Sequence, residues 1–107
     1  MNLEEIIRKL REGGLPPGDL AEMKSQLAGH YAFYAGQWEE ILKRKAAQWI
    51  KLREFTKSDN SADRQYELTE DGKSEIIYRL KLKVIEKLMS GISTRIRVAE
   101  GESKSQW

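Results

Sequence analysis

Residues 72–97, GKSEIIYRLKLKVIEKLMSGISTRIR, decide the fold class of this 107-residue chain. Within them YRLKLKV (78–84) alternates apolar and basic residues with the period of a strand, and TRIRV (94–98) does so again. A wider window reverses that reading. Ile76, Ile77, Leu80, Val84, Ile85, Leu88, Met89, Ile92 and Ile96 keep helical spacing, and no two-residue hairpin turn interrupts them. The pattern predicts a long helix over 73–98, followed by a polar tail, 99–107, with little to bury except Trp107.

Upstream, KSDNSAD (57–63) carries the Ser, Asn and Asp side chains that bond to neighbouring backbone and favour turns. It predicts a hinge over 57–72 at which the chain reverses. YELTEDGKSE (66–75) has the strand, turn and helix start of a winged-helix wing, but the short recognition helix that must precede a wing is missing. The structural reading has Thr69 capping the next helix and Gly72 tolerating the bend. Before the hinge, Leu20, Met23, Leu27, Tyr31, Tyr34, Trp38, Ile41, Leu42, Trp49 and Leu52 recur at steps of three, four or seven. Asp19 and Glu22 have capping spacing, so the pattern predicts one helix over 20–56. Gly29 and Gly36 each cost it about 1 kcal/mol against Ala, and would permit close packing with another helix. A short amphipathic helix, 2–12, opens the chain with Asn2 as its cap and Glu5 completing a capping box. GGLPPGD (13–19) ends it, since two glycines allow positive φ and two prolines cannot continue a hydrogen-bonded helix.

The expected fold is therefore all-α: a short N-terminal helix, then an elongated hairpin of long helices within one domain. A helix over 20–56 is about 55 Å long, whereas a compact domain of about 100 residues has a radius of gyration of about 13 Å. Its broad apolar stripes exceed what one hairpin partner can cover, so self-association through the amphipathic faces is expected.

Charge is the other guide. The total of 19 basic and 17 acidic residues is near balance, so any electrostatic footprint must be regional. In EEILKRKAAQWIKLREFTK (39–57), Lys43, Arg44, Lys45, Lys51, Arg53 and Lys57 stand against Glu54 after the leading glutamates. Arg79, Lys81, Lys83, Lys87, Arg95 and Arg97 stand against Glu86 in the second long helix. Acids dominate between them. Arg79, Lys83 and Lys87, at i, i+4 and i+8, form an edge that could track a phosphate backbone, with Trp49 and Phe55 among the cations as stacking platforms. The same residues equally suit the solvated face of a scaffold or adaptor helix that grips protein partners.

Catalysis finds no support. The chain has no Cys and a single His, His30, which leaves no thiolate metal site, disulfide or His-rich zinc set. Asp71 and Lys73 resemble a nuclease D-x-K fragment, but no earlier acidic strand completes it. No phosphate-binding loop, nucleophile elbow, HExxH or dinucleotide turn is present. No cofactor or metal is expected. No apolar run approaches bilayer-spanning length and no signal peptide is apparent, so a cytoplasmic protein with no membrane partner is expected.

The order of these features, with YAFYAGQWEEILKRKAAQWIKLR (31–53), a polar hinge and the closing Ile-Ser-x-Arg-Ile-Arg (92–97), resembles small phage proteins of recombination and replication. It is more distantly similar to the UvsY recombination mediators of T-even phages, over roughly residues 20–98. The resemblance implies a ring-forming helical oligomer that binds single-stranded DNA. It also implies help in loading a recombinase onto strands covered by a single-strand-binding protein in the bacterial host. Residues carried over to that role are Lys43, Arg44, Lys51, Arg53, Lys83, Arg95 and Arg97, with Trp49 as the stacking aromatic. The shorter chain and its GGLPPGD segment depart from the pattern. A phage assembly factor that binds protein partners only is the competing expectation.

Overall fold

The computed structural model describes the backbone of residues 1–105 and the side chains of residues 1–101, so Trp107 lies outside the described residues. Four helices follow in order, α1 (Leu3–Glu12), α2 (Pro17–Glu54), α3 (Asp59–Leu68) and α4 (Glu70–Ser105), with no strand among the described residues. The all-α expectation holds. YRLKLKV and TRIRV lie inside α4, because α4 buries residues at helical and not at alternating spacing.

Local chemistry explains most of the helix ends. Asn2 caps α1 by accepting from the Glu5 N–H, and Gly13 and Gly14 leave the helix at φ +73° and +71°, conformations natural to glycine. α2 starts at Pro17, not at residue 20: proline suits the first helical position, where its missing N–H has no partner to lose. The N–H of Leu20 bonds to the Pro16 carbonyl. At the other end α2 stops at Glu54, near the expected 56.

The expected hinge, 57–72, is largely helix. Ser58 accepts from the Ser61 N–H and caps α3, and Ala62 and Tyr66, one turn apart, bury the inner side of that helix. Capping and burial thus override the turn preferences of Ser, Asn and Asp. The reversal falls in the four residues between α2 and α3, 55–58, and α3 and α4 are separated by a single residue. Thr69 ends α3 through its N–H on the Tyr66 carbonyl and starts α4 through Oγ1, which accepts from the Gly72 N–H at 3.0 Å. α4 begins at Glu70 and runs on through the tail expected to be loose, to Ser105.

The single domain expected from length resolves into two compact units, one formed by Met1–Ala32 with the chain from Lys83 on, the other by Phe33–Leu82. The first encloses Ile6, Leu10, Leu20, Met23, Leu27, Ile85 and Ile92. In it the α-amino group of Met1 donates to Gln26, and the His30 Nε2–H donates to the Met1 carbonyl at 2.9 Å, tying the chain start to α2. The second encloses Ile41, Ala62, Tyr66 and Leu82, with Glu75 the buried acid. There α2 runs antiparallel to α4, since Tyr34 meets Tyr78 and Lys81 while Arg44 and Gln48 meet Asp71.

Beyond Gly72, the buried positions of α4, Glu75, Leu82, Ile85 and Ile92, with half-buried Tyr78 and Met89 between them and Ile96 after them, follow a heptad seam. That seam excludes part of the expected stripe. Ile76, Ile77, Leu80 and Val84 are exposed, at 43%, 50%, 57% and 41%. On α2 Leu42 is exposed as well, and Tyr31, Tyr34 and Trp38 are half-buried rather than core. Gly29 and Gly36 face open space: a Cβ at either would meet nothing within 4 Å, so within this chain they serve no close helix contact.

Candidate nucleic-acid interface

Most of the candidate cations of α2 are already occupied. Arg44 sends Nε and Nη2 to the two oxygens of Asp71 at 2.6 and 2.9 Å, a bidentate fork, and Gln48 adds a third donor at 2.6 Å. These hydrogen bonds, Arg44 first and Gln48 second, hold the Asp71 carboxyl down at about 2. Lys45 donates to buried Glu75 at 3.1 Å and lies 5.0 Å from the centre of the Tyr66 ring. Arg53 is held by Asp59 at 2.9 Å and by the Thr56 carbonyl. Lys43 pairs with Glu40 at 3.1 Å and more loosely with Glu39.

Trp49, the expected stacking platform, is half-buried with its indole N–H donated to Asp63 at 2.8 Å. The acids that seemed to separate two basic segments therefore lie against the first of them. The reason is α3, which returns the chain toward α2 and sets Asp59 and Asp63 beside Arg53 and Trp49. Among the described residues, Lys51 is the one member of the α2 set that is exposed without an ion-pair partner.

α4 differs within the first unit. Lys83, Lys87 and Arg97 are exposed and make no ion pair among the described residues. They share one side of the helix with exposed Ser90 and Thr94, at steps of three and four residues. Glu86, beside this edge, is engaged by the Tyr31 hydroxyl at 3.0 Å, a contact that raises the Tyr31 pKa. Arg95, expected on the same surface, is turned instead toward α1, where Nη1 donates to the Leu10 carbonyl at 3.0 Å. Arg79 belongs to the second unit and lines a small polar cavity there with Lys45, Tyr66 and Glu75.

Sequence reasoning missed one aromatic cluster in the second unit. Phe33 meets Tyr34 edge-on at 5.3 Å, Tyr34 lies 5.9 Å from Tyr78, and the Lys81 ammonium sits 5.0 Å from the Tyr34 ring centre. Only Phe33 and Tyr34 are neighbours in sequence, so spacing along one helix could not reveal the group. No cluster of three or more metal-ligating side chains occurs among the described residues, and no described helix is long and apolar enough to cross a membrane. Comparison with protein-family models, with curated proteins and with solved structures returned no match.

Proposed function

We propose that this chain is a non-enzymatic, self-associating protein that binds single-stranded nucleic acid. In this reading it acts in a bacterial cytoplasm as a recombination mediator, helping to load a recombinase onto strands held by a single-strand-binding protein. The observation that carries the reading is the edge of α4 in the first unit, where Lys83, Lys87 and Arg97 stand exposed with no ion-pair partner among the described residues and the neighbouring Glu86 is engaged by Tyr31. A strand bound there would exchange its counterions for these cations, while Lys43, Arg44 and Arg53, satisfied by acids, contribute little.

A second reading, a helical scaffold for protein partners, draws on the exposed Ile76, Ile77 and Leu80 of the second unit. Anisotropy of a labelled single-stranded oligonucleotide at two salt concentrations separates the two. The nucleic-acid reading expects binding whose log-log salt slope is about 0.7 per phosphate neutralised, and which falls at least about tenfold in Lys83→Glu/Lys87→Glu. Absence of binding at low salt, or indifference to that double substitution, gives the scaffold reading precedence.

A further inference from the structure

Between α1 and α4 of the first unit runs a groove of about 370 Å³, lined by Ile7, Leu10, Val84, Leu88, Gly91 and Ile92. Arg11, Lys87 and Arg95 complete its lining, and no carboxylate does. Ile6 and Leu10 are buried and belong to the core, but Val84 is 41% exposed and the floor at Gly91 is bare. Glycine is not required there by packing. A Cβ at Gly91 would meet nothing within 4 Å, although glycine costs a helix interior about 1 kcal/mol against alanine.

The placement of the cations limits what can fill this groove. Arg95 is fixed beside the end of α1 by its bond to the Leu10 carbonyl, near Arg11. Lys87 lies eight residues earlier on α4, about 12 Å away along the helix axis. One anionic head group cannot reach both ends. Two carboxylates two helical turns apart on a docked helix can, with apolar side chains at i, i+4 and i+7 resting on the floor between them.

We infer that this groove is a docking site for an amphipathic helix of a partner protein, with an apolar stripe and acidic residues spaced two turns apart. Charge complementarity selects it: a basic, acid-free rim repels another basic helix edge and rewards an acidic one. The site shares Lys87 with the proposed nucleic-acid edge but is otherwise lined by other residues, and its occupant is recognised without nucleic acid.

The probe is a labelled synthetic helical peptide with leucines at i, i+4 and i+7 and glutamates at i+1 and i+8, titrated by anisotropy without DNA. A second peptide has lysine for both glutamates, and dodecanoate serves as a single-headed competitor. The glutamate peptide is expected to bind, and Lys87→Glu to weaken it by about tenfold or more. The lysine peptide should bind the Lys87→Glu protein better than the unaltered one. Gly91→Leu, whose Cβ meets nothing within 4 Å and whose side chain occupies the groove, should abolish peptide binding while leaving helicity and oligonucleotide affinity unchanged. Failure of the glutamate peptide to bind, equal binding of the two peptides, or full competition by dodecanoate overturns the inference. So does unchanged peptide affinity in Gly91→Leu.

Discussion

Asp71 accepts from Arg44 and Gln48 at once, and its depressed pKa of about 2 makes it a measurable contributor to stability. A carboxyl whose folded pKa lies below its unfolded value stabilises fully above about pH 4 and loses that contribution as pH falls toward 2. Half of the Arg44 side chain is exposed, so screening reduces the net effect to about 1 kcal/mol. Asp71→Asn should cost that much in urea melts at pH 7, and the two proteins should converge near pH 2. Persistence of the gap at pH 2 would locate the effect in shape rather than charge. Tyr66 is the opposite case. Burial first, then the nearby Glu75 carboxylate, push its phenol up to about 12, and its buried hydroxyl, though close to Glu75, completes no well-formed hydrogen bond. Stability should fall as pH rises from about 10, the unfolded value, to about 12. Tyr66→Phe removes an unsatisfied polar atom and should be neutral or stabilising by up to about 1 kcal/mol. A loss of that size instead would mean the hydroxyl is bonded in solution.

At the level of elements, glycines divide by what surrounds them. Gly29 and Gly36 lie inside α2 with open space where a Cβ would go, so each change to Ala should raise stability by about 0.5 to 1 kcal/mol. Gly72 sits in the first turn of α4 with the Tyr66 carbonyl and the Glu67 backbone pressed against it, and a Cβ there collides with main chain that cannot step aside. Gly72→Ala should therefore cost about 2 kcal/mol or more, because the Thr69 turn must open to admit it. Thermal melts of the three variants check the division, and equal shifts would mean that α3 packs less closely on the start of α4. The same turn explains why α3 was hard to foresee. Its ten residues carry only two buried anchors, Ala62 and Tyr66, too few for periodicity to outweigh a run of Ser, Asn and Asp.

For the whole molecule the decisive quantity is which charges remain available after folding. Arg44 and Lys83 look alike in sequence, but one is consumed by Asp71 and the other faces solvent unpaired among the described residues. Arg44→Ala should lower stability and spare oligonucleotide affinity, whereas Lys83→Ala should do the reverse. Paired melting and anisotropy measurements test this, and a large affinity loss in Arg44→Ala would return the interface to α2. Exposed Ile77 and Leu80 set the second expectation at this scale. Light scattering should give a mass that is a multiple of the 12.4 kDa chain, and Leu80→Glu should lower it. A single-chain mass for the unaltered protein would refute self-association.

Helix content, the α1 cap, the glycine exit at residues 13 and 14 and the Thr69 cap were all legible in the residues, because helix period and capping are local and act within a few positions. The heptad seam of α4 was only partly legible: Ile85 and Ile92 belong to it, but Ile76, Ile77, Leu80 and Val84 fit helical spacing equally well and lie outside it. Of the candidate interface, the exposure of Lys83, Lys87 and Arg97 was legible, but the pairing of Lys43, Arg44 and Arg53 with acids and the bond from Trp49 to Asp63 were not. Sequence alone determined that this chain is helical and carries basic segments, since both follow from residue type and spacing. Tertiary structure alone decided which cations are free and which apolar residues are core. Ion pairing and burial depend on the side chains of other helices, and distance along the chain does not record them.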